Sequence, residues 1–189
     1  MSVMQCHVVF LLYFYTIFAL EEVLQCKDYA APLHLDFDDL QTPTTVPSPY
    51  KGFLLKRQNT PLVVMKNDQI PVMNTSEKIN LYRGSASSEP NVIYTTGENL
   101  LVQKQDKSLF GIRSFQVTNI FLNTMTINVD SFKKQSPRNH LTIVLESGKR
   151  MLVIMDWNNI DTIIIGCRKH QRDTCSHMTF DDFILCEHS

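Results

Sequence analysis

The chain has 189 residues, of which 43% are hydrophobic and 20% charged, and its formal net charge is −1 at pH 7. This composition is typical of one globular domain with an apolar core and excludes a chain that is disordered throughout. The near-neutral charge also argues against nucleic acid as a partner, because binding to phosphates requires a concentrated basic surface.

The first predicted element is an uncharged apolar run at residues 8–20, VVFLLYFYTIFAL, which Glu21 and Glu22 follow directly. The run has the length of a signal-peptide core and is short for a membrane span. We therefore predict a signal peptide over residues 1–25 and a single secreted domain over residues 26–189, with no membrane span after signal removal. A signal anchor is the alternative, because the apolar run could reach back to Val3.

The rest of the chain reads as β-strands joined by turns. Runs of β-forming residues occur at 33–38, 115–132, 141–145, 151–155, 160–165 and 178–186. We expect the runs on either side of residues 146–149 to pair as a hairpin, and residues 157–159 to form a turn. No long stretch outside the signal shows apolar residues at helical spacing. The prediction is an all-β fold, an antiparallel β-sandwich.

Two acidic motifs lie near the ends of the predicted domain: residues 35–40 read LDFDDL and residues 180–184 read FDDFI. Adjacent carboxylates in an apolar, strand-like run are unfavourable unless they reach solvent, a partner or a metal. We therefore predict that the first and last strands lie side by side and share a polar edge or a cation.

A structural calcium ion is one hypothesis for this edge, because calcium binds carboxylate oxygens in irregular geometry. The candidate ligands are Asp36, Asp38, Asp39, Asp181 and Asp182. On a regular strand Asp181 and Asp182 point to opposite faces, so both would ligate only if a bulge intervened. The alternative is that the aspartates cap turns or discourage edge pairing with another chain.

Four cysteines remain after the predicted cleavage: Cys26, Cys167, Cys175 and Cys186. An even number in an exported chain predicts disulfides, and four cysteines allow three pairings. In one pairing Cys167 and Cys175 close a hairpin while Cys26 and Cys186 join the chain ends, which agrees with the acidic motifs. Buried free thiols are the alternative, and the spacing is not that of a zinc site. Asn74 begins an N-glycosylation sequon in a predicted loop.

Several motifs follow one another in a family-like order. They are LDFDDL at 35–40, PYKGF at 49–53, SEPNVIY at 88–94, FGIRSF at 110–115, WNNIDTI at 157–163 and FDDF at 180–183. This order resembles the galactose-binding-like jelly rolls of small secreted fungal and bacterial exported proteins. The resemblance implies a jelly-roll sandwich related to non-catalytic carbohydrate-binding modules, in which calcium often bridges the first and last strands. Glu89 stands where that family usually has glycine.

A glycan site requires exposed aromatic rings beside amide or carboxylate groups. Trp157 with Asn158 is the best local cluster, and Tyr50, Tyr82 and Tyr94 are further candidates. The alternative is that Trp157, the only tryptophan, belongs to the core. We predict no enzyme, because the chain has no nucleophile elbow, phosphate loop or HExxH motif, and carboxylates within strands are a poor glycosidase pair.

These observations predict a secreted, non-catalytic binding module for glycans or an extracellular surface protein. The alternative is a structural or interaction protein of a cell wall or host interface, with no sugar site.

Overall fold

The computed structural model describes residue 26 and residues 32–57, 62–66, 91–95, 99–120, 124–167 and 177–187. In these ranges the secondary structure consists of strands and turns. The strands are β1 (Pro32–Leu35), β2 (Thr44–Thr45), β3 (Phe53–Arg57), β4 (Val63–Lys66), β5 (Asn91–Thr95), β6 (Leu100–Lys104), β7 (Phe110–Asn119), β8 (Met125–Lys133), β9 (Ser136–Leu145), β10 (Arg150–Ile160), β11 (Thr162–Cys167) and β12 (Met178–Glu187).

The strands form two antiparallel sheets that pack face to face. The seven-stranded sheet has the order β10-β7-β12-β5-β4-β2, and β1 also pairs with β12. The five-stranded sheet has the order β3-β6-β11-β8-β9. Most connections carry the chain from one sheet to the other, as in a jelly roll. The predicted all-β antiparallel sandwich is confirmed.

Alternating burial explains why these segments form strands. In β8 the side chains of Met125, Ile127 and Val129 are buried, while those between them are only partly covered. A strand places successive side chains on opposite faces, so this pattern directs every second residue into the core. Burial of each large apolar side chain stabilises the fold by about 1.5–3 kcal/mol.

Aromatic rings fill the centre of the core. The rings of Phe115 and Phe183 stack at 5.4 Å, and Phe37 meets Phe183 edge-on at 6.4 Å. Phe37 also stacks on Tyr50 at 5.2 Å. These contacts tie the loop after β1 and the segment before β3 to the two central strands of the larger sheet.

The chain ends meet, as the acidic motifs and cysteines predict. Strand β1 pairs antiparallel with β12, with Leu35 opposite Phe183. A disulfide joins Cys26 to Cys186, whose Cα atoms are 5.6 Å apart. Cys167 is also disulfide-bonded, while Cys175, its predicted partner, lies outside the described residues.

Two predicted hairpins are wrong. Strand β9 lies in the five-stranded sheet and β10 in the seven-stranded one, so the turn at residues 146–149 links the sheets. Strands β11 and β12, which flank Cys167 and Cys175, likewise lie in different sheets. Alternation along a strand specifies which face is buried, but it does not specify the neighbouring strand.

The predicted turn at residues 157–159 is wrong as well, because β10 continues to Ile160. Its pairing with β7 shifts register on both sides of Trp157, and Asn159 has a φ of 56°. A bulged strand therefore replaces the turn. The predictions at Asn74, Tyr82 and residues 1–25 lie outside the described residues. Within the described ranges no helix is long and apolar enough to cross a bilayer.

Candidate functional site

The first acidic motif is a turn rather than a strand. Strand β1 ends at Leu35, Phe37 has a φ of 61°, and the Leu40 N–H donates to the Phe37 carbonyl at 3.1 Å. A left-handed phenylalanine is uncommon, and here its ring is fully buried against Tyr50 and Phe183. Asp36 and Asp38 therefore lie in a turn, where the alternation of a strand does not set the direction of their side chains.

Each carboxylate of this turn accepts a hydrogen bond from a different residue. Asp36 pairs with Lys51 at 3.0 Å, and Asp38 accepts the Asn91 backbone N–H at 3.1 Å. Asp39 accepts the Tyr50 hydroxyl at 2.5 Å. Burial alone would raise the pKa of Asp36, but the Lys51 hydrogen bond and charge outweigh it and lower that pKa. The pKa of Tyr50 is raised mainly by burial and further by its hydrogen bond to the Asp39 carboxylate.

The second acidic motif contains a bulge. The pairing of β12 with β7 shifts between Asp181 and Ile184, and Asp182 has a φ of 46°. The Asp182 N–H donates to Asp181 Oδ1 at 2.9 Å, and Gln116 Nε2 donates to Asp182 Oδ2 at 3.4 Å. A bulge is the condition under which the side chains of Asp181 and Asp182 could both ligate one ion.

The described residues contain no group of three or more His, Cys, Asp or Glu side chains placed to hold a metal ion. The five candidate carboxylates lie in the two acidic motifs. In each motif other groups of the protein already donate hydrogen bonds to them. The arrangement therefore does not present a ready ligand set, and calcium binding stays a prediction.

The predicted sugar-binding cluster around Trp157 is partly covered by the fold, and sugar binding there stays a prediction. Trp157 is half-buried and packs against the core. Asn158 Nδ2 donates to Asp156 Oδ1 at 3.3 Å, while its Oδ1 is buried beside Gly111. Tyr50 is only 5% exposed, so its ring is not the open platform that stacking on a sugar requires.

A pocket on the other sheet has the better geometry. A cavity of about 480 Å³ opens on the outer face of the five-stranded sheet. Ile163 and Ile165 point into the core, so Thr162 and Ile164, which alternate with them along β11, face outward. The lining residues come from β6, β8, β11 and the turns beside them: Gln103, Lys107, Phe132, Lys134, Gln135, Asp161, Thr162 and Ile164.

Asp161 organises this pocket. Its Oδ2 accepts the Lys134 N–H at 2.5 Å and its Oδ1 accepts the Thr162 hydroxyl at 2.9 Å. Its own N–H donates to the Phe132 carbonyl at 2.9 Å. Gln103 Nε2 lies 3.5 Å from Thr162 Oγ1. The turn that carries Lys134 is thereby attached to the start of β11, so the polar groups are held in place without a ligand.

Lys134 and Gln135 form the two-residue turn between β8 and β9, whose last pair is Lys133 with Ser136. Both have positive φ values, 50° and 65°. A two-residue hairpin favours this geometry because its twist matches that of the strands it joins. The bond from the Lys134 N–H to Asp161 holds the turn beside the pocket, which both residues line.

A row of exposed polar side chains extends from the pocket along β8 and β9. His140 Nδ1 lies 2.7 Å from Asp130 Oδ1, and its Nε2 lies 3.0 Å from Thr142 Oγ1. The Thr142 hydroxyl donates to Asn128 Oδ1 at 3.0 Å. Asp130 stands opposite Ile164 of the pocket, so the row and the pocket form one continuous surface.

This row has the carboxylate–imidazole–hydroxyl order of a hydrolase triad. The Thr142 hydroxyl lies 3.0 Å from both His140 Nε2 and Asn128 Oδ1, and it can donate to one of these two acceptors at a time. The row therefore presents donors and acceptors that are already bonded to one another along the exposed face of the sheet.

Sequence reasoning did not select the pocket residues. The turn Phe132-Lys133-Lys134-Gln135 and the pair Asp161-Thr162 were visible as polar residues at strand ends. Their convergence depends on β11 lying between β6 and β8, which no local pattern indicates.

No known family and no curated protein matches the sequence. Among solved structures, the K2 adhesin domain of Lys-gingipain aligns with a TM-score of 0.51 at 8% identity, over 82% of this chain and 97% of that one. The K3 adhesin domain of Lys-gingipain from Porphyromonas gingivalis w83 gives 0.51 at 11% identity, over 83% and 100%.

The arabinose-bound MgGH51 α-L-arabinofuranosidase also aligns with a TM-score of 0.51, at 11% identity and over 84% of this chain. The chain spans only 26% of that protein. At these identities the likenesses show the fold alone, and they confirm that the chain has the β-sandwich fold found in these proteins.

Proposed function

We propose that the chain is a secreted, non-catalytic binding module whose glycan site is the pocket on the outer face of the five-stranded sheet. The observation that carries this proposal is the composition of the lining. The half-buried ring of Phe132 lies beside the amides of Gln103 and Gln135, the Asp161 carboxylate and the Thr162 hydroxyl.

Sugars present an apolar face of C–H groups and an edge of hydroxyl groups. A site for them combines an aromatic or aliphatic surface with a few fixed hydrogen-bonding groups. Phe132 and Ile164 supply the apolar surface, and the amide and carboxylate groups supply the polar partners. The bonds of Asp161 hold these groups before binding, which reduces the entropy lost when a ligand is ordered.

The polar row of Asn128, Asp130, His140 and Thr142 adds donors and acceptors along the same face. A ligand longer than one sugar would lie across β8 and β11, with one unit in the pocket and the next against the row. We therefore favour an oligosaccharide over a single sugar.

Secretion is supported by two features of the chain. Residues 8–20 have the composition of a signal-peptide core. The Cys26–Cys186 disulfide is of a kind that persists in oxidising compartments. The solved structures that share the fold include adhesin domains and a portion of an arabinofuranosidase, which is compatible with an extracellular role near carbohydrates.

The alternative, an interaction protein without a sugar site, is favoured by one observation. Val144, Leu152 and Ile154 are 55%, 42% and 43% exposed, and they lie on β9 and β10, the edge strands of the two sheets. Exposed apolar side chains on edge strands are a common feature of protein contacts.

A glycan array tests the proposal, followed by calorimetric titration of each glycan that binds. We expect Phe132→Ala to abolish binding and Gln103→Met, which keeps the side-chain length but removes the amide, to weaken it about tenfold. The matched control is Leu152→Ala, an exposed apolar side chain on the other sheet. An array on which the wild-type protein binds no glycan would overturn the proposal, and so would glycan binding that neither pocket variant changes.

A further inference from the structure

We propose that the pocket selects a negatively charged sugar, one that carries a carboxylate or sulfate group, through the ammonium groups of Lys107 and Lys134. This inference rests on the proposed glycan site and specifies its ligand class. It starts from the two lysines that line the pocket, one in the turn after β6 and one in the turn after β8.

Among the residues that the structure describes, neither ammonium group has an acidic partner. In the described part of the chain, ion pairs occupy Lys51, Lys104 and Lys149, whose partners are Asp36, Glu187 and Glu146. No such pair forms at Lys107 or Lys134, and both side chains are exposed at the pocket. Both also have positive φ values, 60° and 50°, so the turns hold them in an unusual backbone conformation.

The one acidic group in the lining offsets only one of the two ammonium charges, because Asp161 faces two lysines and one positive charge is left in excess. Both Asp161 oxygens accept hydrogen bonds from within the protein, from the Lys134 N–H and the Thr162 hydroxyl. These bonds hold the carboxylate against the turn, and in the described part of the chain no ion pair joins it to either lysine, so both ammonium groups can reach a ligand.

The two kinds of lining group match two kinds of ligand group. Ammonium groups bind carboxylate or sulfate oxygens by charge-assisted hydrogen bonds, which are about twice as strong as neutral ones. The amides of Gln103 and Gln135 match neutral hydroxyls. A uronic acid or a sulfated sugar carries both groups on one ring, whereas a neutral sugar leaves the ammonium groups without partners.

Calorimetric titration with matched probes tests this selection: a galacturonate trimer, a sulfated galactan trimer and neutral galactotriose. We expect at least one charged trimer to bind about tenfold more tightly than the neutral one, and its affinity to fall as salt screens the charges. Lys107→Gln and Lys134→Gln should each weaken the charged trimer roughly tenfold and leave the neutral one unchanged. The control is Lys66→Gln, an exposed lysine on the other sheet.

Each result decides the question. Preference for the galacturonate trimer or for the sulfated trimer supports charge selection and identifies the acidic group. Equal affinity for charged and neutral trimers, abolished in both cases by Phe132→Ala, overturns charge selection but leaves the glycan site standing. Binding of none of the trimers, together with a blank glycan array, overturns both proposals. If Lys66→Gln weakens binding of the charged trimer as much as the pocket variants do, the loss comes from the net charge of the protein. That result overturns the role of the two pocket lysines.

Discussion

The side-chain amide of Asn91 donates a hydrogen bond of 3.0 Å to the carbonyl oxygen of Phe37. A second bond of 2.9 Å runs from the same amide to the Leu40 carbonyl. Strands β5 and β1 both pair with β12, β5 with the first residues of that strand and β1 with the last. The Asn91 contact lies where β5 and β1 meet. The Asn91 amide thus closes the gap between β5 and β1, opposite the bulge at Asp182.

Replacing Asn91 by alanine should destabilise the fold by about 2–3 kcal/mol, because the buried Phe37 carbonyl and the partly buried Leu40 carbonyl both lose their donor. Asn91 is 2% exposed, so water cannot readily replace the amide. Urea unfolding followed by tryptophan fluorescence measures the change. The exposed Thr124→Ala should stay within about 0.5 kcal/mol of wild type. A comparable effect of both substitutions would show that the amide does not join the two strands.

Removing the Cys26–Cys186 disulfide with the double variant Cys26→Ser/Cys186→Ser should cost about 2–5 kcal/mol. The bond spans 160 residues, and cross-linking distant residues restricts the unfolded chain strongly. Urea unfolding of the double variant, without added oxidant, gives the change in the free energy of unfolding. Peptide mapping without reduction should recover the Cys26 and Cys186 peptides as one linked species. Recovery of Cys186 linked to a different cysteine would contradict the pairing.

Two buried glycines, Gly111 in β7 and Gly166 in β11, should respond differently to alanine. A Cβ on Gly111 would lie 2.7 Å from the buried Asn158 Oδ1 and 3.1 Å from the Trp157 carbonyl oxygen. Since the backbone of β10 must move, we expect Gly111→Ala to cost about 2 kcal/mol. A Cβ on Gly166 meets only the exposed Asn99 side chain, which can rotate away. The melting temperature of Gly111→Ala should therefore be well below that of Gly166→Ala. The reverse order would refute the packing described for β10.

Stability should decrease on the acidic side of neutrality because of His177. This imidazole bonds the Tyr94 hydroxyl and is 7% exposed, and burial lowers its pKa below 6.5. The unfolded chain therefore takes up a proton at a higher pH than the folded protein does. The free energy of unfolding falls as pH drops below about 6.5, until the folded-state pKa is reached.

Urea titrations at pH 7.5, 6.5 and 5.5 measure this slope. His177→Gln should be less stable at pH 7.5 but show a smaller decrease toward pH 5.5, because glutamine does not titrate. Parallel pH profiles for the two proteins would exclude His177 as the source of the slope.

Calcium at the acidic motifs would raise the melting temperature. A ligand at one hundred times its Kd stabilises the folded state by about 2.7 kcal/mol. The ion would have to recruit carboxylates that now accept bonds from Lys51, Tyr50 and Asn91. Differential scanning calorimetry with saturating calcium and with chelator gives the answer, and Asp38→Asn/Asp182→Asn should remove the shift. An unchanged midpoint in wild-type protein would rule the site out.

Local residue patterns determined much of this fold. The alternation of apolar residues marked β8, which buries one face, and the run of β-forming residues marked the final strand, most of whose side chains are buried. The paired aspartates and the terminal cysteines indicated that the chain ends meet, because neither charges nor an exported thiol is stable in an apolar strand without a partner. The β1–β12 pairing and the Cys26–Cys186 bond confirm that inference.

What local patterns could not specify was which strands lie side by side. The expected hairpin around residues 146–149 connects two sheets instead, and the turn expected at Trp157 is a bulge held by packing on the core. The pocket is the clearest case. Phe132 and Asp161 are 29 positions apart in the chain, and they meet only because β11 pairs with β8. Strand pairing depends on how complementary faces cover one core, which is a property of the whole chain rather than of any segment.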